Sequence, residues 1–292
     1  MSEEKIDKVI IIAEIGINHN GDVDLAKRII DIAVRSKCSF VKFQKRTVED
    51  VYSKKILDSP RDSKWGKTTR DQKNGLELSQ EEYDEIYRYC QEKNIDLMFS
   101  CWDLKSVEFI KQYNCKMNKI ASPLLTAIPL LESIAKQGKT TLISTGMSKM
   151  DEIHRAVEIF KLYKCPFILM HCNSSYPMEN KDANLNMIKI LRDIFNCQIG
   201  WSGHERGLQI SLAAVALGCS VIERHITESR DLSGSDQSAS LEERGITQLV
   251  RDCNIIFESM GDGVKRITKK EQESRDKLAN PYWYQQILEN EK

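Results

Sequence analysis

Eight short β-rich segments alternate with eight amphipathic ones from one end of the chain to the other, and each β-rich segment is apolar almost throughout. These two observations predict an α/β fold with a parallel sheet, because strands covered by crossover helices need no polar face. The count of eight, in 292 residues, predicts that the sheet closes into a (β/α)8 TIM barrel. An open doubly wound sheet is the alternative, but the glycine-rich phosphate loop that accompanies it is missing.

The elements follow in order. The first strand candidate, Val9–Asn18, precedes a helical pattern at Val23–Ser36, and the second is Phe40–Gln44. A polar insertion, Lys45–Leu78, then interrupts the repeat; it contains Trp65-Gly66-Lys67-Thr68-Thr69-Arg70, and insertions this long are usually functional or disordered. Ser79 followed by Glu82 reads as a capping box opening a helix at Gln80–Lys93. Strands at Asp96–Cys101, Met117–Ser122 and Thr140–Gly146 alternate with helices at Leu104–Tyr113, Ile128–Gln137 and Asp151–Tyr163. Strands at Pro166–Cys172, Gln198–Gly203 and Ser220–Thr227 alternate with helices at Leu185–Phe195, Gly207–Leu217 and Leu241–Met260. The barrel is expected over residues 1–263. Residues 264–292 form a charged, then aromatic tail (Tyr282, Trp283, Tyr284), read either as a docking segment or as a frayed end.

Composition narrows the function classes. Lys+Arg and Asp+Glu balance at 43 each, so the basic excess that nucleic-acid or anionic-membrane binding requires is missing. No apolar run approaches the ~20 residues that span a bilayer. The polar start MSEEKIDK has no secretory pattern, and the nine cysteines never form CxxC. A cytoplasmic protein with reduced, buried thiols is expected.

In such a barrel the active site lies at the C-terminal ends of the strands. Read in order, those ends carry Glu14, Asn18 and His19; Lys42 and Gln44; Ser100; Lys119 and Ser122; Ser144 and Thr145; His171, with Tyr176 beyond; Ser202 and His204; and Glu223 and His225, with Asp236 in the following loop. Four of the five histidines are thus expected on one face, with His154 alone on a helix. Lys42 and Lys119 sit in otherwise apolar strands, where an ammonium is costly unless it meets an anion. With Ser122, Ser144 and Ser202 they suit a small substrate carrying phosphate and carboxylate; either lysine alone would equally pair with Glu14 or Glu223. His204 and His225, at the ends of adjacent strands, suit a shared divalent metal.

At these residues the chain resembles the sialic acid synthase (N-acetylneuraminate synthase) family over nearly its whole length. The segments that carry the resemblance are AEIGINHNG (13–21), VKFQK (41–45), WGKTTRDQK (65–73), KIAS (119–122), STGMS (144–148), SSYP (174–177), GWSGHE (200–205), ALGCSVIERHIT (216–227) and GSDQSASLE (234–242). The resemblance implies a transferase that condenses phosphoenolpyruvate with an N-acyl hexosamine, N-acetylmannosamine or a related sugar, to a nine-carbon 2-keto-3-deoxy acid. It implies phosphoenolpyruvate on Lys42, Lys119, Ser122, Ser144 and Ser202, and a metal, Mn²⁺ first with Mg²⁺ or Co²⁺ as alternatives, on His204 and His225. Catalytic roles fall to Glu14, His225 and Asp236, sugar contacts to Gln44, Tyr176 and Asp236, and a homodimer is implied.

Three departures stand out. Leu124 occupies a position commonly acidic in the family, Gln237 one that is commonly histidine, and the sequence stops before the small antifreeze-like domain that usually follows. Two other readings stay open: a Schiff-base aldolase using Lys42 or Lys119, and a barrel that binds ligand without turnover.

Overall fold

The computed structural model describes residues 8–279 and 281–290. Eight parallel strands close into a barrel: β1 (Ile10–Gly16), β2 (Phe40–Lys45), β3 (Asp96–Cys101), β4 (Asn118–Ile120), β5 (Thr141–Ser144), β6 (Phe167–His171), β7 (Ile199–Gly203) and β8 (Val221–His225). Each pairs with its neighbour in chain order, and β8 closes on β1 in the register Ile10↔Val221 through Glu14↔His225. The helices are α1 (Val23–Arg35), α2 (Gln80–Glu92), α3 (Leu104–Phe109), α4 (Ile128–Ala135), α5 (Met150–Leu162), α6 (Asn186–Phe195), α7 (Gln209–Ala216) and α8 (Glu243–Met260). All eight sequence-predicted strands form. Ser79 and Glu82 make the expected reciprocal capping box at the start of α2.

The strand period of two determines what the barrel interior contains. One set of alternate positions faces outward and, with the apolar stripes of the helices, forms the main core, which includes Ile11, Phe43, Phe99, Trp201 and Ile222. The other set begins inside the barrel as a separate apolar cluster of Ile12, Phe40, Met98, Leu142, Ile168, Met170 and Val221. Two residues further along the same strands stand Glu14, Lys42, Ser100, Ser144 and Glu223. The interior therefore changes from hydrocarbon to charge within one pleat. Gly200 permits this packing: a Cβ there would come within 2.4 Å of the Met170 sulfur.

The insertion after β2 has structure of its own. Two short helices, Val48–Val51 and Lys54–Leu57, lead to a hairpin of Pro60–Ser63 with Gly66–Thr68 and to a helix Thr69–Leu76. Asp71 and Thr68 cap that helix reciprocally. The Trp65 indole lies over Gly75, where a Cβ would fall 2.2 Å from its ring, which seats the hairpin on the helix. Beyond residue 258 a second unit comprises residues 259–292 and includes the helices Lys269–Leu278 and Tyr282–Asn290. None of the nine cysteines is in a disulfide, and among the described residues no helix is long and apolar enough to cross a membrane.

Candidate active site

At the C-terminal end of the barrel the polar ring encloses a cavity of about 250 Å³. Glu14, Lys42, Gln44, Lys119, Ser122, Ser144, Tyr176, Ser202, His204, Glu223, His225 and Asp236 all line it. Every residue to which the resemblance assigns a role therefore lines one space, because the strand ends converge there.

The floor is a compact ionic network. Lys42, 3% exposed, lies 2.9 Å from Glu14 Oε2 and 3.6 Å from Glu223 Oε1. Burial alone would push its pKa down, but the two carboxylates outweigh it and hold the ammonium above its usual value. Lys119, 2% exposed, stands differently: it donates to Ser144 Oγ at 2.6 Å and Ile120 O at 3.0 Å, and Glu223 is 3.8 Å away. Burial, with Lys42 beside it, draws the Lys119 pKa down. Glu223 also accepts from Ser202 Oγ at 3.2 Å and is held below its usual range because the two lysines outweigh its burial. The reading that a lysine pairs with a barrel carboxylate thus holds closely for Lys42 and, at 3.8 Å from Glu223, more loosely for Lys119. Lys119 is the less closely paired of the two ammonium groups, bonded to the Ser144 hydroxyl, and Ser122 and Ser202 line the same cavity.

The histidine wall is built by β7 and β8. His204 and His225 have ring centroids 5.5 Å apart, and the Tyr176 ring covers both, at 4.0 Å and 5.7 Å. His204 Nδ1 lies 2.6 Å from the Asn173 carbonyl oxygen. A carbonyl only accepts, so Nδ1 carries the proton and the Nε2 lone pair is free. Burial, then the neighbouring His225, pushes the His204 pKa down to about 3, so the ring is neutral at ordinary pH. His225 Nδ1 is buried without a hydrogen-bond partner, 3.7 Å from Asp236 Oδ2, and Glu223 Oε2 is likewise unpartnered. The free Nε2 lone pair of His204 and the neighbouring His225 ring, with unpartnered polar atoms around them, fit a divalent cation whose remaining positions go to water and substrate. Among the described residues no group of three or more His, Cys, Asp or Glu side chains forms a closed metal cage.

Behind this wall the next residues in sequence point the other way and lock together. Arg224 and Glu205 are both 0% exposed and 2.9 Å apart; Arg224 also donates to the carbonyls of Glu205 (2.6 Å) and Gly207 (3.0 Å), and Ser211 Oγ donates to Glu205 at 2.5 Å. This pair fastens the end of β7 to that of β8, the two elements that set the His204–His225 spacing.

The expectation of four convergent histidines is corrected. His19 is buried at the β1–α1 turn, its ring 5.7 Å from Phe43, and its Nδ1 accepts from Gly21 N. His171 packs on Trp201 and its Nε2 donates to the carbonyls of Ala183 and Asn184. Both hold loops in place, and only two of the four line the cavity. Leu124 is partly buried against the main core, so its side chain puts nothing polar into the site. Among the cavity-lining residues that strand-end reading missed are Arg46, Tyr52, Lys73 and Trp102. Arg46 and Trp102 stand one residue past the ends of β2 and β3, while Tyr52 and Lys73 come from the insertion.

A family model described as the NeuB family matches residues 29–265. The chain is 41% identical over 271 residues to the N-acetylneuraminate-9-phosphate synthase of Mus musculus, covering 92% of this chain and 76% of that protein. It is 37% identical over 273 residues to the N,N'-diacetyllegionaminic acid synthase of Campylobacter jejuni, covering 91% and 82%. A crystal structure of N-acetylneuraminic acid (sialic acid) synthetase from Leptospira borgpetersenii, in complex with citrate, superposes with a TM-score of 0.83 at 35% identity, covering 93% of this chain and 92% of that one. With a barrel of this geometry and a family match across most of its length, the chain belongs to the NeuB family.

Proposed function

We propose that the protein condenses phosphoenolpyruvate with the open-chain aldehyde of an N-acyl hexosamine, releasing phosphate and a nine-carbon 2-keto-3-deoxy acid. The observation that carries this reading is that Lys119, Ser122, Ser144 and Ser202 line the same cavity as His204 and His225. Groups suited to an anion and groups suited to an aldehyde therefore share one space. The names of the relatives, synthases of sialic and legionaminic acids, support the same reaction class.

In this reading Lys119 and the three serines hold the phosphate and carboxylate of phosphoenolpyruvate. Lys42, pinned between Glu14 and Glu223, fixes the position of both carboxylates beside the reacting carbons. His204 and His225 are the residues that would hold a divalent metal, Mn²⁺ first; the chemistry it supplies when bound is Lewis-acid polarisation of the acceptor carbonyl. Carbon C3 of the enol attacks the aldehyde carbon, water adds at C2, and phosphate departs with C–O cleavage. Three carbons and six make nine. Asp236, beside His225, and Glu14, oriented by the Gln44 amide at 2.9 Å, are placed to move protons at the new hydroxyl and at the attacking water. Tyr176 and Gln44 orient the sugar. Donors fixed in a buried site need no reorganisation as charge develops, which makes them the largest contribution to rate.

The test is phosphate release with phosphoenolpyruvate and a panel of N-acyl hexosamines in Mn²⁺, with mass spectrometry of the product. Release that needs both substrates and stops with chelator is expected. No release from any aldose with Mn²⁺, Mg²⁺ or Co²⁺ refutes the proposal. The depressed pKa of Lys119 gives the Schiff-base reading its one support, and borohydride trapping of pyruvate, insensitive to chelator, would establish it instead.

A further inference from the structure

Asn18 is fully buried two residues past the end of β1, and it does not line the cavity. Its side-chain amide nevertheless reaches two elements that do. Nδ2 donates to the carbonyl of Ile226, the residue after His225, at 2.9 Å, and to Ser240 Oγ at 2.8 Å. Ser240 Oγ in turn donates to the Asp236 carbonyl at 2.7 Å. Every direction in this ladder is determined. A carbonyl only accepts, so the amide nitrogen faces Ile226, and the single hydroxyl hydrogen of Ser240 points at Asp236. Ser240 must then receive the second amide hydrogen of Asn18. Both N–H groups are used, and an aspartate of the same shape would supply neither.

What the ladder holds is the connection between β8 and α8, which carries Asp236 to the cavity and returns. Leu241 N donates to His225 O at 2.8 Å and Thr227 N to Leu241 O at 3.0 Å, and these bonds close the base of the loop. Asp236 itself is tied to β1 twice. Ser240 links its carbonyl to the Asn18 amide, and the next residue, the buried Gln237, donates from Nε2 to Asn18 O at 3.5 Å. Ser235 Oγ donates to Asp236 Oδ1 at 2.7 Å, and Oδ2 lies 3.7 Å from His225 Nδ1. A carboxylate on a loop keeps a productive geometry only when buried partners lock it. We propose that Asn18 is a positioning residue of the reaction, setting Asp236 against His225 by fastening the β8–α8 loop to β1. This rests on the condensation reading above and adds to it a residue outside the cavity.

The experiment uses Ser240→Ala, which cuts the link to Asp236 alone, and Asn18→Leu, which keeps the volume and removes both donors, after thermal melts show each variant folded. Loss of an outer partner of this kind is expected to lower kcat for the condensation roughly 10–100-fold in both. The KM for phosphoenolpyruvate should stay near wild type, because Lys119, Ser122 and Ser144 stand at β4 and β5. Calorimetry with Mn²⁺ separates the two variants: affinity falls in Asn18→Leu, which also frees Ile226 beside His225, and holds in Ser240→Ala. A wild-type kcat in Ser240→Ala, whatever its melt, overturns the inference. So does a KM for phosphoenolpyruvate that rises together with the fall in kcat, the mark of a mouth that has only loosened. If Asn18→Leu does not fold, Ser240→Ala decides alone. Should the wild type not turn over, the condensation reading fails, and an unchanged Mn²⁺ affinity in Asn18→Leu then overturns this inference separately.

Discussion

Replacing Arg224 by methionine is expected to unfasten β7 from β8. The substitution keeps a long side chain, so it creates little void, and it leaves Glu205 with no cation where both partners are 0% exposed. Breaking a fully buried pair by removing one member costs about 3–5 kcal/mol, since the remaining charge has no solvent to return to. The guanidinium also satisfies the carbonyls of Glu205 and Gly207, which lose their donor together. For a domain of this size, 1 kcal/mol corresponds to roughly 2–4 °C in Tm, so a fall of about 10 °C is expected. Differential scanning fluorimetry and urea titration would measure it. A double variant, Arg224→Met with Glu205→Leu, should recover much of the loss because no charge is then stranded. His204 and His225 adjoin these residues, so calorimetric Mn²⁺ affinity should weaken in the single variant. If Arg224→Met stays within about 1 kcal/mol of wild type, the buried-pair reasoning is wrong.

Other outcomes are equally specific. Lys119→Ala removes the less closely paired ammonium of the floor, and should raise the Kd for phosphoenolpyruvate roughly 10–100-fold by calorimetry; an unchanged Kd would mean the anion sits elsewhere. His225→Ala should lose chelator-sensitive turnover while its far-ultraviolet circular dichroism and melt stay close to wild type; metal-dependent activity at the wild-type rate would misplace the metal. Acid stability should depend on His19, whose pKa is pushed down to about 4 by burial first and then by Arg46. Its pKa in the unfolded chain is near 6.5, so the unfolded state takes the proton first and stability falls as pH drops from about 6.5 toward 4. Between pH 6.5 and 5 the shift amounts to about 2 kcal/mol, and the urea midpoint of His19→Gln should decline correspondingly less over that interval.

The floor and the histidine wall were legible in the sequence because strands have a fixed period. A lysine in an apolar strand, as at Lys42 or Lys119, must be turned inward at a determined level, and the level is shared by neighbours in register. The rim was not legible. Arg46 and Trp102 lie one residue beyond their strands, where the chain no longer obeys the period. Tyr52 and Lys73 belong to helices of four and eight residues' scale and to their connections, too short for a periodic signal to emerge. His19 and His171 misled for the opposite reason: they occupy strand ends, but backbone groups of adjacent loops claim their ring nitrogens.

The hydrocarbon layer of Ile12, Phe40, Met98, Leu142, Ile168, Met170 and Val221 stoppers the lower end of the barrel. Among the described residues this layer closes the cavity from below, so substrates and products pass by the mouth, where Arg46, Lys73 and Tyr176 stand. A sugar seated across that threshold would trap whatever lies deeper. The smaller substrate must therefore load before the larger one, an ordering that initial-rate kinetics with dead-end inhibitors would reveal.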